Sequence, residues 1–415
     1  MIPKLYNIGI QLYGFAIKIA ALKNHKAKLW IEGRKDTFEY LEKQLSKSDE
    51  VIWIHAPSLG EFEQVRPLIE VLKREHSNYK ILLSFYSPSG YEVRKDYPLA
   101  DFICYLPLDT PKNAKRFLEL VNPSFTFFVK YDFWANYLNE LQTGNYKHYV
   151  ISAIFRSNQY FFKKKGKWML DILSKVDHYF VQNQDSKYIL LSRKIKQVSN
   201  TGDTRFDRVV DIVKSRKELP ILEKFKGDTP LFIGGSTWAK GEEMLLEFMK
   251  HYGTRFKYVI APHEIHEAQI VKFSSQINLE VVRYSKANEQ NVKTAQVLII
   301  DNIGLLSSLY AYADVAYIGG GFGKGIHNTL EAAAFGMPIF IGPKNEKFQE
   351  AQELKELGVC IEIKSAQGMI AHCDLLLTRQ SKWEELKEKS ANYVLNKAGA
   401  TSKIIEHVFN KSLPQ

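Results

Sequence analysis

Cysteine is scarce in this chain, and the three present, Cys104, Cys360 and Cys373, stand far apart with no CxxC pair or metal-ligand spacing. That excludes a disulfide scaffold and a zinc module, and it points to a reducing compartment. No GxSxG elbow occurs, and the run His263-Glu264-Ile265-His266-Glu267 lacks the HExxH spacing of a metalloprotease. No metal site is expected. Internal repeats and Pro- or Gly-rich tracts are also missing, so fibrous and low-complexity architectures drop out. The longest apolar run, Leu5–Leu22, is broken by Asn7, Gln11 and Lys18. It stands at the lower limit of the roughly 20 residues that a membrane span needs.

What is present is a globular composition of 415 residues, 45% hydrophobic and 25% charged, enough for two domains. The net charge of +11 is unevenly placed: residues 1–200 carry 30 basic and 20 acidic side chains, the remaining 215 carry 27 and 26. A field confined to one half implies an anionic partner there: nucleic acid, an acidic membrane surface or a phosphorylated substrate. On a helix over 5–22, Asn7, Gln11 and Lys18 form a narrow polar stripe beside a broad apolar flank of Ile8, Leu12, Phe15, Ile19 and Leu22. Lys23, His25, Lys26 and Lys28 follow. This pattern predicts a helix lying in a membrane interface, against the alternative of a buried core helix. A small-residue cleavage site is absent, so a removed signal peptide is not expected.

Beyond this helix, β-rich runs alternate with helical patterns. Strands are expected at Val51–His55, Lys80–Phe85, Phe102–Leu106, Phe125–Val129, His148–Ser152 and Tyr179–Gln182. A second series is expected at Leu231–Gly234, Phe256–Ala261, Val297–Asp301, Val315–Gly319, Pro338–Gly342 and Val359–Ile363. Intervals of roughly 20–35 residues fit β-helix-β crossovers, hence two doubly wound α/β domains with parallel sheets. A charged stretch from Arg205 to Pro230, without apolar periodicity in its second part, sets the boundary. The expected domains are 1–206 and 207–415, with the final helix able to return to the first.

Ligands of such sheets bind beyond the carboxyl ends of strands, so the loops there carry the chemistry. After the first strand comes His55-Ala56-Pro57-Ser58-Leu59-Gly60-Glu61. Ser58 and Glu61 have the spacing of a capping box, which accounts for both residues, with Glu61 as a general base the alternative reading. After the first strand of the second half comes Gly234-Gly235-Ser236-Thr237-Trp238, neither a Walker loop nor GxGxxG, which reads as a tight turn or as an anion site. Gly319-Gly320-Gly321-Phe322-Gly323-Lys324-Gly325 then opens a helix carrying Glu331. The glycines suit a backbone wrapped around a phosphate, and the carboxylate suits both hydroxyls of a ribose. Lys163, Lys164 and Lys165, with Tyr160, Phe161, Phe162 and Trp168 around them, read as a solvated loop or a lipid-headgroup or single-strand binder.

HAPSLGE at His55–Glu61, SPSGYE at Ser87–Glu92, YLPLDTP at Tyr105–Pro111, TGDTRFD at Thr201–Asp207, GGSTWAKGEE at Gly234–Glu243, GIHNTLEAAAFGMP at Gly325–Pro338 and KFQEA at Lys347–Ala351 occur together. In these the chain resembles the bacterial 3-deoxy-D-manno-octulosonic acid (Kdo) transferases of lipopolysaccharide biosynthesis over nearly its whole length. The resemblance implies a GT-B fold of two facing Rossmann-like domains with an interdomain cleft. It implies inverting transfer of Kdo from CMP-Kdo to a lipid A precursor at the cytoplasmic face of the inner membrane, without metal or other cofactor and without a nucleic-acid partner. It makes Glu61 the general base. Ser236, Thr237, Asn328 and Glu331 become donor-site residues, joined by His263, Gly320, Gly321, Gly325, Lys347 and Glu350. Ser58, Gly60, Lys130, Asp132 and Lys163–Lys165 fall to the acceptor side.

The chain departs from the family where many members carry E-T-E-x-W after the fourth strand: here Lys130-Tyr131-Asp132-Phe133-Trp134 stands, with one carboxylate kept and a lysine in place of another. An Arg-His pair near Pro262 is likewise replaced by His263-Glu264. Two other readings compete: a GT-B N-acetylglucosaminyl transferase or epimerase, and a basic binding protein without catalysis.

Overall fold

The computed structural model describes residues 2–410. They divide into two compact units: the chain through Arg208 together with the chain from Ala398 onward, and Val209–Lys397. The division falls two residues beyond the expected 206/207, and the last helix, Ala400–Ile405, groups with the first unit along with the π-helical turn Glu406–Asn410. Asp207 makes that tie. Its carboxylate accepts from the amides of Gly399 and Thr401 and from the Thr401 hydroxyl, the last at 2.6 Å. Ile404, Ile405, Val408 and Phe409 then complete a core shared with Ile52, Ile54 and Phe127. The TGDTRFD run is therefore a structural clasp, with the Thr204 hydroxyl donating to the Gln64 carbonyl.

The first unit holds strands β1 (Val51–His55), β2 (Lys80–Phe85), β3 (Phe102–Tyr105), β4 (Pro123–Val129), β5 (Lys147–Ala153), β6 (His178–Val181) and β7 (Val198–Asn200). They form one parallel sheet in the order β3-β2-β1-β4-β5-β6-β7. Every residue of β1 is buried, because helices cover both faces: Val51 and Trp53 enter one core, Ile52 and Ile54 the other. The period of two divides the strand between two apolar layers, each large side chain contributing about 1.5–3 kcal/mol. The second unit repeats the plan with β8 (Leu231–Thr237), β9 (Lys257–Pro262), β10 (Val281–Arg283), β11 (Val297–Ile299), β12 (Val315–Ile318), β13 (Ile339–Ile341) and β14 (Cys360–Glu362). Its order is β10-β11-β9-β8-β12-β13-β14.

Two strands were not expected, β7 and β10. Each has three residues at a sheet edge, too few to show a period. The charged stretch also needs correction: its second part holds the helix Pro220–Lys226, started by proline at its first position, with Leu222 and Phe225 buried.

The N-terminal helix, Lys4–Ala20, does not bury its apolar flank. Leu5, Ile8, Leu12, Phe15, Ile19 and Leu22 are exposed, Leu5 by 80% and Leu22 by 83%, which overturns the core-helix alternative. The expected polar stripe splits. Asn7 faces the body and accepts from Asn136 Nδ2 at 2.9 Å, whereas Gln11 and Lys18 face solvent. Tyr6 donates to the buried Asp109 at 2.6 Å, and Gly14 lets the helix approach closely, since a Cβ there would lie 2.8 Å from Leu108. Among the described residues no single helix is long and apolar enough to cross a membrane.

Removing the Asp207 carboxylate strands two amides and a hydroxyl, a cost of about 1–3 kcal/mol. Asp207→Ala is expected to speed hydrogen exchange of amides in residues 400–409 while leaving the strands β8 to β14 protected; equal protection of the terminal helix in the variant would refute the clasp.

Candidate active site

In the first sheet the winding reverses between β1 and β4, and the crevice at their carboxyl ends is where a parallel sheet offers a ligand site. Both ends carry expected residues. Ser58, in extended conformation, leads from β1 into the helix Leu59–Glu75. The capping box does not form: Ser58 makes no side-chain cap bond, and its hydroxyl donates to the Glu61 carboxylate instead. Gly60, exposed in the first turn, adds no side chain to cover this end. Lys130 directly follows β4 in a left-handed conformation (φ 64°), uncommon for a residue with a Cβ. Its amide donates to the Ile151 carbonyl and its Nζ to Glu61 Oε1, both at 2.9 Å. Burial pushes the Glu61 carboxyl up, but the Lys130 ammonium and the Ser58 hydroxyl outweigh it and hold the group below its ordinary value. The result is a half-buried carboxylate that stays ionised.

Asp132 lies beside this pair, fixed by its own network. Its Oδ2 accepts from Trp134 Nε1 at 2.8 Å and lies 3.1 Å from Nε2 of the fully buried His55. His55 Nδ1 is 2.9 Å from Ser84 Oγ, which accepts from Trp53 Nε1 at 2.8 Å. With Nε2 donating to Asp132, Nδ1 accepts the Ser84 proton. The histidine of HAPSLGE thus orients Asp132, a role its place in the motif did not reveal. Lys163, Lys164 and Lys165 are exposed in two 3-10 turns, Tyr160–Phe162 and Lys164–Gly166, while Phe162 is buried beneath them.

In the second sheet the reversal falls at β8, between β9 and β12. Ser236 is left-handed (φ 51°) at the end of β8. Thr237 is buried and its hydroxyl donates at 2.8 Å to Glu242 of the helix Ala239–Tyr252, so it serves the fold. The glycine loop closes on itself: the amides of Gly323 and Gly325 donate to the Gly320 carbonyl at 2.8 and 3.3 Å, and the Lys344 amide to the Gly321 carbonyl at 2.9 Å. The amides of Gly323 and Gly325 are thus engaged within the turn. Part of the glycine content is packing: a Cβ at Gly319 would lie 2.0 Å from the Ser236 carbonyl oxygen.

Asn328 accepts from the Leu330 amide at 3.0 Å and donates to Glu331 Oε1 at 3.2 Å. Glu331 therefore stands in the first turn of the five-residue helix Leu330–Ala334, not a turn into a longer one. Lys347 is exposed, whereas Glu350 is buried in the helix Gln349–Glu356. Two residues went unassigned in the sequence, Trp238 and His327. His263 stacks on both, with ring centroids 4.6 and 4.2 Å away, and Trp238 Nε1 donates to His327 Nε2 at 3.0 Å. Burial, reinforced by His263, lowers His327 to about 4 and keeps it neutral. Both lie inside quoted motifs, which was the available signal.

Two parallel units of this strand order have the GT-B fold. A UDP-GlcNAc 2-epimerase from Neisseria meningitidis superposes with TM-score 0.61 over 87% of this chain and 100% of its own, at 17% identity, a likeness of fold alone. Residues 32–208 match the family described as 3-deoxy-D-manno-octulosonic-acid transferase (kdotransferase). A 3-deoxy-D-manno-octulosonic acid transferase from Aquifex aeolicus is 29% identical over 82% of this chain and 89% of its own. A bifunctional glycosyltransferase/methyltransferase from Fusobacterium nucleatum is 26% identical over 84% of this chain, which spans 57% of that protein. The resemblance read from the motifs is borne out: the chain is similar to Kdo transferases along most of its length.

Observed by carbon NMR, the Glu61 carboxyl is expected to titrate below the ordinary carboxylate value and to move upward in Lys130→Met, which removes the favourable charge but not the burial. An unmoved midpoint would show that the ion pair does not set it. His327 is expected to titrate at about 4, so its ring signals should stay nearly constant from pH 8 to pH 5; a midpoint near 6.5 would refute its withdrawal from water beside His263.

Proposed function

We propose that this enzyme transfers Kdo from CMP-Kdo to a hydroxyl of a phosphorylated lipid A precursor, with inversion, and that Glu61 is the general base. The observation that carries this reading is the ionised Glu61 at the β1/β4 reversal, held by Lys130 and Ser58. The acceptor hydroxyl gives its proton to Glu61 as its oxygen attacks the anomeric carbon of Kdo. On the opposite face the bond to the CMP phosphate breaks, and its electron pair leaves with CMP. The scheme takes from the family the absence of a metal. The N-terminus of the helix Ala239–Tyr252, with Ser236 before it, and the exposed Lys347 supply the positive potential that the leaving phosphate needs. Asn328, Glu331 and His263 complete the donor side.

Lys130 is the positioning residue of this scheme. A lowered pKa keeps Glu61 ionised but weakens its proton affinity, and catalysis favours a base near the working pH. An acceptor phosphate drawing Lys130 away raises that affinity when the substrate is in place. The exposed flank of the N-terminal helix, with its basic end, supports placement at the cytoplasmic face of the inner membrane.

CMP release from CMP-Kdo, with and without a tetraacylated lipid A precursor, tests the reading. Acceptor-dependent release is expected, with kcat falling about 10²–10⁴-fold in a folded Glu61→Gln variant. No release with acceptor present would overturn the substrates, and a variant that keeps its rate would move the base elsewhere, to Asp132 first. In Lys130→Met the acid limb of the rate profile is expected at higher pH, because ionised Glu61 is then lost earlier as pH falls.

A further inference from the structure

Beneath the first turn of the N-terminal helix lies a groove of about 540 Å³, within the roughly 300–1,000 Å³ typical of ligand pockets. Its walls come from three separate segments: Leu5 of the helix, Tyr131 and Phe133 of the loop after β4, and Phe161, Lys165 and Trp168 of the turns that follow β5. The aromatic walls are anchored. Phe133 stacks with Phe155 and meets Phe161 at 5.7 Å, and Trp168 meets Tyr6, whose hydroxyl is held by Asp109, at 5.3 Å. Lys165 is the one charged residue in the lining, and Lys163 and Lys164 are exposed beside it.

These features select an occupant with an apolar length and an anionic head. The groove continues into the exposed apolar flank of the helix, because Leu5 belongs to both. It also continues toward the reaction centre: Tyr131 follows Lys130, which donates to Glu61, and Tyr131 and Phe133 flank Asp132. A hydrocarbon chain lying here would run from the exposed flank of the helix to the loop that carries Lys130 and Asp132. A water-soluble sugar acceptor would have no use for such a wall. We infer that the groove holds one acyl chain of the acceptor, fixing the register of the sugar hydroxyl against Glu61, while the lysines meet an acceptor phosphate. The inference rests on the reading of the acceptor as a lipid and goes beyond it by placing the chain.

The test uses the full chain without detergent. The probe is a single-chain alkyl phosphate carrying bromine on its chain, below its critical micelle concentration. Saturable quenching of tryptophan fluorescence is expected, most of it lost in Trp168→Phe, with half-saturation raised at least tenfold in Leu5→Glu, a change at an exposed site that the fold tolerates. Equal quenching of the wild type and Trp168→Phe would overturn the groove. In transfer assays the ratio of kcat/KM for a tetraacylated over a fully deacylated phosphorylated disaccharide is expected to fall at least tenfold in Leu5→Glu, and an unchanged ratio would also overturn it. Trp168-dependent quenching without transfer to either disaccharide would support the groove as a chain site and remove the lipid A reading instead.

Discussion

Glu61 keeps its charge while partly withdrawn from water, and the Lys130 ammonium makes that possible. Burial alone would push the group toward its neutral form. The rest of the first unit can be understood as the means of holding these two side chains together. They are 69 residues apart in the chain, and only the β1–β4 pairing brings the two loops side by side. The register places His55 opposite Phe128 and Ser84, so the buried histidine that ends β1 can bridge Ser84 to Asp132 in the loop after β4. Without that bridge Asp132 would be held by the Trp134 indole of its own loop and no longer tied to β1.

What could be read along the chain was what one segment decides by itself. Central parallel strands are buried on both faces and appear as short apolar runs, so ten of their number were visible from Val51 to Ile363, together with the edge strands β3 and β14. The other edge strands, β7 and β10, bury too little to leave such a trace. The capping spacing of Ser58 and Glu61 was equally visible, yet its outcome depends on Lys130, which no local pattern contains: a nearby cation draws the carboxylate away from the cap amide. The stack of Trp238, His263 and His327 joins three strand ends and was likewise beyond local reading. The amphipathic pattern of the N-terminal helix gave its two faces but not which one packs. Asn7 turns inward because Asn136 offers it a hydrogen bond, and the apolar flank is left outside.

The two units reach the same end by different electrostatics. The first pairs a carboxylate with a cation, Glu61 with Lys130. In the second, most polar side chains at the strand ends are tied to one another: His327 is kept uncharged, Thr237 donates to Glu242, and Asn328 to Glu331. A neutral, hydrogen-bonded surface suits a ligand held by shape and by directed bonds, whereas a basic one suits an anion of variable position, and the charge excess of residues 1–200 follows the same division.

The lysine that replaces an acidic residue of the E-T-E-x-W stretch changes the sign of the field at the base. Two carboxylates close together repel, which forces one of them to bind a proton more tightly. A lysine in that place does the reverse, so Glu61 is ionised at lower pH and binds a proton less tightly. On the proposed reading the acceptor supplies the difference, its anionic group competing with Glu61 for Lys130. The lysine would then couple the strength of the proposed base to the substrate's charge, so that acceptor recognition and proton abstraction become one electrostatic event.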